Sequence, residues 1–189
     1  MREFMNFFEK LLVSRTLTFE PGKISFMNQR ELMTSARVFA ELCMRANSDP
    51  QRLRELYDAS KAGYREGTAA TLGKHATSHN DLLKWMTDIA SFAGWGKLTW
   101  LNYVEENKSG AILIEDLPIP ALLKGKVKGC ADHVVRGFIA GGASAMVGSD
   151  VDCVEEECVA TGAAACKFVF MPRDRFKVTL EVTRQLGIK

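Results

Sequence analysis

Residues 155–168 read EEECVATGAAACKF, which places the carboxylate Glu155 three residues before the thiol Cys158, with a second thiol, Cys166, eight residues after the first. Gly162 stands halfway between the thiols, where we expect a turn that folds two strands back on each other and brings both sulfurs together. Thiolate and carboxylate groups are ligands that zinc accepts, and four protein ligands make a closed structural site. The stretch therefore predicts a metal-binding hairpin that takes a fourth ligand from elsewhere.

The remaining cysteines are the candidates for the fourth ligand. The chain has five, of which Cys43 stands alone and the other four fall in the last third. Cys130, upstream on a predicted helix, and Cys153 are the two candidates, and the spacing leaves the choice open. Buried, inert thiols are the alternative, because free cysteine is among the most buried residue types.

Composition bounds the class of protein. The chain has 189 residues, 47% of them apolar and 25% charged, which is typical of a globular domain, and we expect a single domain over residues 1–189. The formal charge of +2 gives no indication of direct nucleic-acid binding. No apolar run is long enough for a membrane span, and the first residues lack the pattern of a signal peptide. We therefore expect a cytoplasmic protein.

The N-terminal half predicts helices and one hairpin. Residues 3–13 form a short apolar helix, and residues 15–27 form a hairpin around the turn residues Pro21 and Gly22. Asn28 is predicted to cap a helix that ends before Pro50. Pro50 opens a helix of about 20 residues, and a further helix begins at Ser78.

The second half predicts two more hairpins around a helix. Residues 97–105 and 111–115 form one hairpin, a long helix runs from Lys124 to Met146, and the region 150–183 is strand-like. Helices thus come in blocks and strands in hairpins. This order indicates an α+β fold, with an antiparallel sheet of hairpins packed against a helical layer.

The run from Cys130 to Phe168 resembles the 4-vinyl reductase domain family. The signature is a Gly-rich helix followed by E-x-x-C-x-x-x-G-x-x-x-C-x-F, and it is matched within about residues 125–170. The resemblance implies a structural zinc held by Cys130, Glu155, Cys158 and Cys166. Relatives include ligand-sensing domains of aromatic-responsive transcription activators and subunits of transport-particle complexes that tether vesicles.

The same resemblance bears on the ligand. Phenol sensors of this family hold their ligand with a His and a Trp, whereas the position here falls near the aliphatic Ile114, and residues 80–132 contain no His. We therefore expect a pocket for a small apolar molecule, with Trp85, Trp100 and Ile114 in its wall. We also expect a homodimer. Because no DNA-binding segment is evident, any output would pass through a partner protein.

Two other functions stay open. The family name suggests an enzyme or accessory protein of tetrapyrrole 4-vinyl reduction, although the sequence shows no dinucleotide fingerprint and no residue that we assign as catalytic. A thiol redox switch, in which oxidation of Cys158 and Cys166 releases the metal, is the third hypothesis. His75, His79 and His133 are more simply explained as loop or core residues. The glycines at 137, 141, 142 and 148 indicate close packing of a helix against the sheet or a second subunit.

Overall fold

The cysteine-rich segment lies in a four-stranded antiparallel sheet. The structure is a computed structural model that describes residues 2–27, 29–71 and 79–188. Its helices are α1 (Arg2–Val13), α2 (Ala36–Asn47), α3 (Pro50–Thr71), α4 (His79–Phe92), α5 (Pro118–Leu123), α6 (His133–Met146) and α7 (Leu180–Leu186). Its strands are β1 (Leu17–Glu20), β2 (Lys23–Phe26), β3 (Gln29–Glu31), β4 (Lys97–Val104), β5 (Ser109–Glu115), β6 (Asp152–Glu157) and β7 (Cys166–Met171).

The main sheet has the order β4-β5-β7-β6, so β4 and β6 are its edges. Both hairpins predicted in the second half of the sequence are present, β4 with β5 and β6 with β7, and β5 pairs with β7 to join them. Alternate side chains of β7 point into the protein, and among them Phe168 and Phe170 are fully buried. Side chains of this inward face form the core together with α6.

Two helices cross closely beside the sheet. A Cβ atom on Gly137 would lie 2.5 Å from Cβ of Ser60, and one on Gly141 would lie 2.3 Å from the carbonyl oxygen of Lys61. Such distances leave room only for glycine. The glycines of α6 therefore allow close contact with α3, within the same chain, while α6 also contacts β6 and β7.

The N-terminal hairpin forms a second, smaller sheet. Its turn is confirmed, with Glu20 paired to Lys23 and Gly22 at φ +72°. β3 extends this sheet beside β2. The hairpin, α1 and α4 surround a separate apolar cluster centred on Leu11, Leu17 and Ile89.

The helix predicted from residue 28 onwards is wrong at its start. Asn28 itself lies outside the described residues, but residues 29–31 form β3, and α2 begins only at Ala36, where the Ser35 side chain accepts from the N–H of Arg37. Pairing with β2 satisfies the backbone of this segment instead of a helical turn. The later starts agree better, since α3 begins at Pro50 and α4 at His79.

The helix predicted over residues 124–146 is also wrong in its first part. The helix α6 begins at His133, and Asp132 caps it by accepting a hydrogen bond from the N–H of Val135 at 3.3 Å. Gly125 and Gly129 have φ of +74° and +75°, in the left-handed region that an α-helix does not use. Cys130 therefore lies in the loop before the helix, not on it.

The architecture confirms an α+β fold with antiparallel sheets packed against helices. Among the helices of the described ranges, none is both long enough and apolar enough to cross a membrane.

Candidate functional site

Three of the four predicted metal ligands meet in one place. The candidate donor atoms of Cys130, Glu155 and Cys158 all lie within 4.8 Å of one another. Glu155 and Cys158 are fully buried, and Cys130 is 6% exposed. We call these three residues the acidic thiol cluster.

The C-terminal hairpin supplies two members of the cluster. Glu155 lies on the edge strand β6, next to an irregularity in the pairing with β7 between Glu155 and Glu157. Cys158 follows the end of the strand, and a short 3-10 turn then leads to Gly162 at φ +106°. The predicted turn is therefore present, and it returns the chain so that β7 begins at Cys166.

Cys130 reaches the cluster from the loop before α6. The preceding residue, Gly129, packs against the guanidinium of Arg184, where a Cβ would lie 2.9 Å from a terminal nitrogen. On the other side, the N–H of Asp132 donates to Oε2 of Glu155 at 2.9 Å. The loop is thus held on both sides of Cys130, by Arg184 next to Gly129 and by Glu155 at Asp132.

Cys166 contacts the cluster without belonging to the group of mutually close donors. Its thiol hydrogen-bonds to Cys158, and its sulfur accepts the N–H of Val159 at 3.3 Å. Cys153, the competing candidate, is fully buried and donates weakly to the carbonyl of Val154, outside the group. The geometry of the described residues thus favours Cys130 over Cys153.

The protonation states follow from the mutual contacts. Hydrogen bonds from Cys130 and Cys166, together with the N–H of Ala131, lower the pKa of Cys158 to about 2. The same hydrogen bonds, and then burial, raise the pKa values of the Cys130 and Cys166 thiols. The three thiols therefore influence one another, with the lowered pKa at Cys158 and the raised values at Cys130 and Cys166.

The two carboxyl groups beside Cys158 have raised pKa values. Burial and the nearby Cys158 raise the pKa of Glu155 well above its usual value, and burial raises the pKa of Asp132 to about 8. Within the described residues, Oε1 of Glu155 and Oδ2 of Asp132 are buried and lack a hydrogen-bond partner. Buried carboxyl oxygens are normally satisfied, so an orphan oxygen beside two thiols fits a bound cation.

The C-terminal helix α7 was not predicted as part of this site. Gln185 is 2% exposed and hydrogen-bonds to both main-chain groups of Glu155. Nothing in the spacing of the sequence marks this glutamine. The cap Asp132, by contrast, stands three residues before Val135 at the start of an apolar helix, a signal that sequence reasoning could have used.

A partly enclosed apolar cavity lies between helices α3, α4 and α6 and the main sheet. The volume of the cavity is about 70 Å³. The structure places all three predicted pocket residues, Trp85, Trp100 and Ile114, in its wall. α3 and α6 complete the wall, with Tyr64 stacked on Phe138 at 4.9 Å between ring centroids.

The cavity wall is almost entirely apolar. None of the described lining residues carries a full charge, and Nε1 of Trp100 donates to the carbonyl of Leu83 at 3.2 Å. Met86, a flexible and polarizable side chain, also lines the space. The arrangement suits an apolar molecule better than one that needs hydrogen-bonding partners.

His133 belongs to neither the acidic thiol cluster nor the cavity wall. His133 is buried and lies between Asn47 and Arg136, with ring nitrogens 3.3 Å and 3.1 Å from their polar atoms. Burial lowers its pKa, so it is neutral. His79 is the first residue of α4, and His75 lies outside the described residues.

One family model matches the region that contains the cluster. Residues 114–172 match the model of the 4-vinyl reductase domain family. This match confirms the resemblance over that stretch, which is less than half of the chain. Comparison with curated proteins found no match.

Several solved structures are similar to this chain at low sequence identity. The chain is similar to the phenol-responsive sensory domain of the transcription activator PoxR, with a TM-score of 0.73, 18% identity, and coverage of 94% of this chain and 92% of that one. A trafficking protein particle complex subunit 3 from Naegleria fowleri, covalently bound to palmitic acid, has a TM-score of 0.55 at 12% identity and covers 72% and 91%. A vinyl-4-reductase family protein from Methanocaldococcus jannaschii has a TM-score of 0.43 at 16% identity, covering 74% and 96%.

Proposed function

We propose that the protein is a small-molecule sensing module whose C-terminal hairpin is stabilised by zinc. The observation that carries the proposal is the apolar cavity between α4, β4, β5 and α6, in a fold similar along nearly its whole length to a phenol-sensing domain. Ligand sites are concave and mostly apolar, with a few polar groups. The cavity has this character.

The proposed ligand is small, uncharged and apolar. The space of about 70 Å³ is smaller than the ~150 Å³ of a dry cavity that binds benzene. A single-ring ligand therefore requires outward movement of a flexible wall residue, and Met86 is the most adaptable one. Because no described lining residue is a cysteine, the ligand binds without a covalent bond to a thiol.

We propose that zinc is held by Cys130, Glu155, Cys158 and Cys166. Tetrahedral zinc with bonds of about 2.3 Å to sulfur places its ligand atoms about 3.8 Å apart. The donors of the acidic thiol cluster lie within 4.8 Å, so a modest inward movement closes the site, and Cys166 is the adjacent fourth donor. When bound, the ion would cross-link the loop before α6 to the C-terminal hairpin.

The proposal extends to assembly and location. A sensing domain needs an output, and a net charge of +2 gives no basis for direct contact with nucleic acid. We therefore propose a cytoplasmic homodimer that passes its signal to a partner protein. Ligand binding shifts the equilibrium toward the arrangement that the ligand binds better.

A binding experiment tests the sensing function. The purified protein is extracted for mass spectrometry, and its melting temperature is measured against a library that includes toluene, phenol and medium-chain fatty acids. We expect apolar single-ring compounds to raise the melting temperature and phenol to do so less. Ala90→Leu, on the cavity wall, should reduce this shift, whereas Ala93→Leu, at an exposed position just after α4, should leave it unchanged. The absence of any shift and of any extracted ligand would contradict the proposal.

The two alternatives have less support. A tetrapyrrole is several times larger than a benzene ring, whereas the cavity offers less space than a benzene site. A redox switch needs accessible thiolates, and the sulfur-bearing residues Cys158 and Cys166 are fully buried. Bound tetrapyrrole in the extract, or release of metal by dilute peroxide, would favour the respective alternative.

A further inference from the structure

The helix α7 lies beyond the stretch that matches the 4-vinyl reductase domain, which ends at residue 172. It nevertheless packs against β6 and α3. Thr179 caps it by accepting the N–H of Val182 at 3.1 Å, and Gly187 ends it at φ +65°. A capped helix outside the shared domain therefore covers the edge strand that carries Glu155.

Gln185 pairs with the backbone of Glu155 as a neighbouring strand would. The N–H of Glu155 donates to Oε1 of Gln185 at 2.9 Å, and Nε2 of Gln185 donates to the carbonyl of Glu155 at 2.8 Å. β6 is an edge of the sheet, so its outer main-chain groups need partners. The side-chain amide of Gln185 provides both a donor and an acceptor for the main chain of Glu155, whose carboxyl group belongs to the cluster.

The orientation of Gln185 is itself fixed. Its Nε2 also donates to Glu181 one turn earlier, at 2.5 Å. Its carbonyl accepts from the guanidinium of the fully buried Arg136 at 3.0 Å. The side chain and the main chain of Gln185 are thus both held, and the amide cannot turn away without breaking several hydrogen bonds.

A second residue of α7, Arg184, contacts the loop that carries Cys130. Arg184 donates to the carbonyl of Cys130, and also to Oδ1 of Asn47 at 2.8 Å. The helix therefore binds the main chain at two members of the acidic thiol cluster, Glu155 through Gln185 and Cys130 through Arg184. These two contacts come from one turn of one helix.

We propose that Gln185 is a positioning residue for the metal ligand Glu155, and that α7 forms the outer support of the metal site. The inference rests on the zinc site proposed above. Partners that orient ligands from outside the first coordination sphere raise metal affinity, and their loss costs about 10- to 100-fold. Gln185 fixes the backbone of Glu155, while the N–H of Asp132 binds Oε2 and Oε1 stays buried without a hydrogen-bond partner.

The test compares two variants of the full chain. Gln185→Met keeps an unbranched apolar stem of similar length and removes both hydrogen bonds to Glu155, whereas Thr183→Ala changes an exposed residue of the same helix. Zinc affinity is measured by competition with a chromophoric chelator. We expect Gln185→Met to bind zinc about 10- to 100-fold more weakly and Thr183→Ala to bind it like the wild type. Equal affinities for all three proteins would overturn the inference.

Cobalt substitution separates positioning from general destabilisation. The visible d–d bands of Co²⁺ report the geometry and the oxygen ligand, so they should change in Gln185→Met and stay unchanged in Thr183→Ala. Unaltered bands in both variants would contradict a positioning role.

Hydrogen exchange of the wild type gives a readout that needs no variant. Removing zinc with a chelator should speed exchange of the amides of residues 182–186 and of Glu155 more than those of α3. Unchanged protection of α7 in zinc-free protein overturns the inference. A wild-type protein that binds no zinc instead defeats the proposed metal site itself, so the two failures are distinguishable.

Discussion

Ile114 and Cys166 lie directly opposite each other in the pairing of β5 with β7. Side chains of paired residues point to the same face of a sheet and lie about 4.5–5.5 Å apart at Cβ. Ile114 lines the cavity, and Cys166 hydrogen-bonds to Cys158. One pair of facing residues on β5 and β7 thus links the wall of the cavity to a neighbour of the acidic thiol cluster.

We expect zinc to depend on Cys130 and not on Cys153. Cys130→Ser removes a member of the acidic thiol cluster, whereas Cys153→Ser changes a buried thiol outside it. Elemental analysis of protein purified without added metal should find about one zinc per chain in the wild type and in Cys153→Ser, and almost none in Cys130→Ser. Because metal binding contributes to folding, Cys130→Ser should also melt at a lower temperature. Zinc lost only from Cys153→Ser would show that the ligand set is wrong.

Enlarging the cavity should create a site for a larger ligand. Ile114 is 2% exposed, and Ile114→Ala should lower the free energy of unfolding by roughly 2–5 kcal/mol. Urea denaturation measures this loss, and addition of toluene should recover part of it. Leu101→Ala on β4, which truncates a side chain that is 49% exposed, should cost less than about 0.5 kcal/mol and show no response to toluene. An equal response in both variants would exclude the cavity as the binding site.

Two neighbouring glycines of α6 should respond oppositely to alanine. A Cβ at position 141 meets the carbonyl oxygen of Lys61 at 2.3 Å, while one at position 142 meets the flexible end of Met86 at 3.3 Å. Gly141→Ala must separate α6 from α3, and we expect a loss of about 1–3 kcal/mol, as for overpacking. Gly142→Ala should be neutral or stabilising, since alanine gains up to about 1 kcal/mol over glycine in a helix. Chemical denaturation that finds Gly141→Ala as stable as the wild type would contradict the close crossing.

Acid should weaken the fold through Asp152. Burial raises the pKa of this carboxyl, but hydrogen bonds from Lys61 and Tyr57, both at 2.8 Å, outweigh burial and leave the pKa below its usual value. A lowered pKa means that the stabilisation is present above the unfolded value of about 3.9 and is lost as the pH falls through the folded value. Asp152→Asn should therefore cost roughly 3 kcal/mol at pH 7, and the difference from the wild type should shrink below about pH 4.

Asp150→Asn is the control for this measurement. Its carboxylate also pairs with Lys61, at 3.0 Å, but is 62% exposed. Exposed pairs contribute about 0–1 kcal/mol, so the variant should unfold almost like the wild type at each pH. A pH-independent difference between Asp152→Asn and the wild type would refute the assignment.

Sequence reasoning identified the fold class and the two hairpin members of the cluster, Glu155 and Cys158, because both depend on local patterns. The spacing of Glu155, Cys158 and Cys166 around Gly162 is a feature of one hairpin, and the turn at Gly22 is equally local. Alternating strands and apolar helices then define an α+β arrangement without knowledge of distant contacts.

The misplaced helix starts have a different cause. Ala131 and Val127 fit a helical repeat, yet Gly125 and Gly129 turn the backbone into the left-handed region so that Cys130 meets the hairpin. The role of Gln185 depends on a contact across 30 positions of the chain. Periodicity does not encode such contacts, since they arise only when α7 packs on the sheet.

The pairing of Gln185 with β6 also bears on solubility. An exposed edge strand offers its main-chain groups to strands of other molecules and so promotes aggregation. Here a side-chain amide occupies those groups at Glu155. A chain shortened before α7 would present a bare edge to its own copies, and its yield from expression would be limited by precipitation.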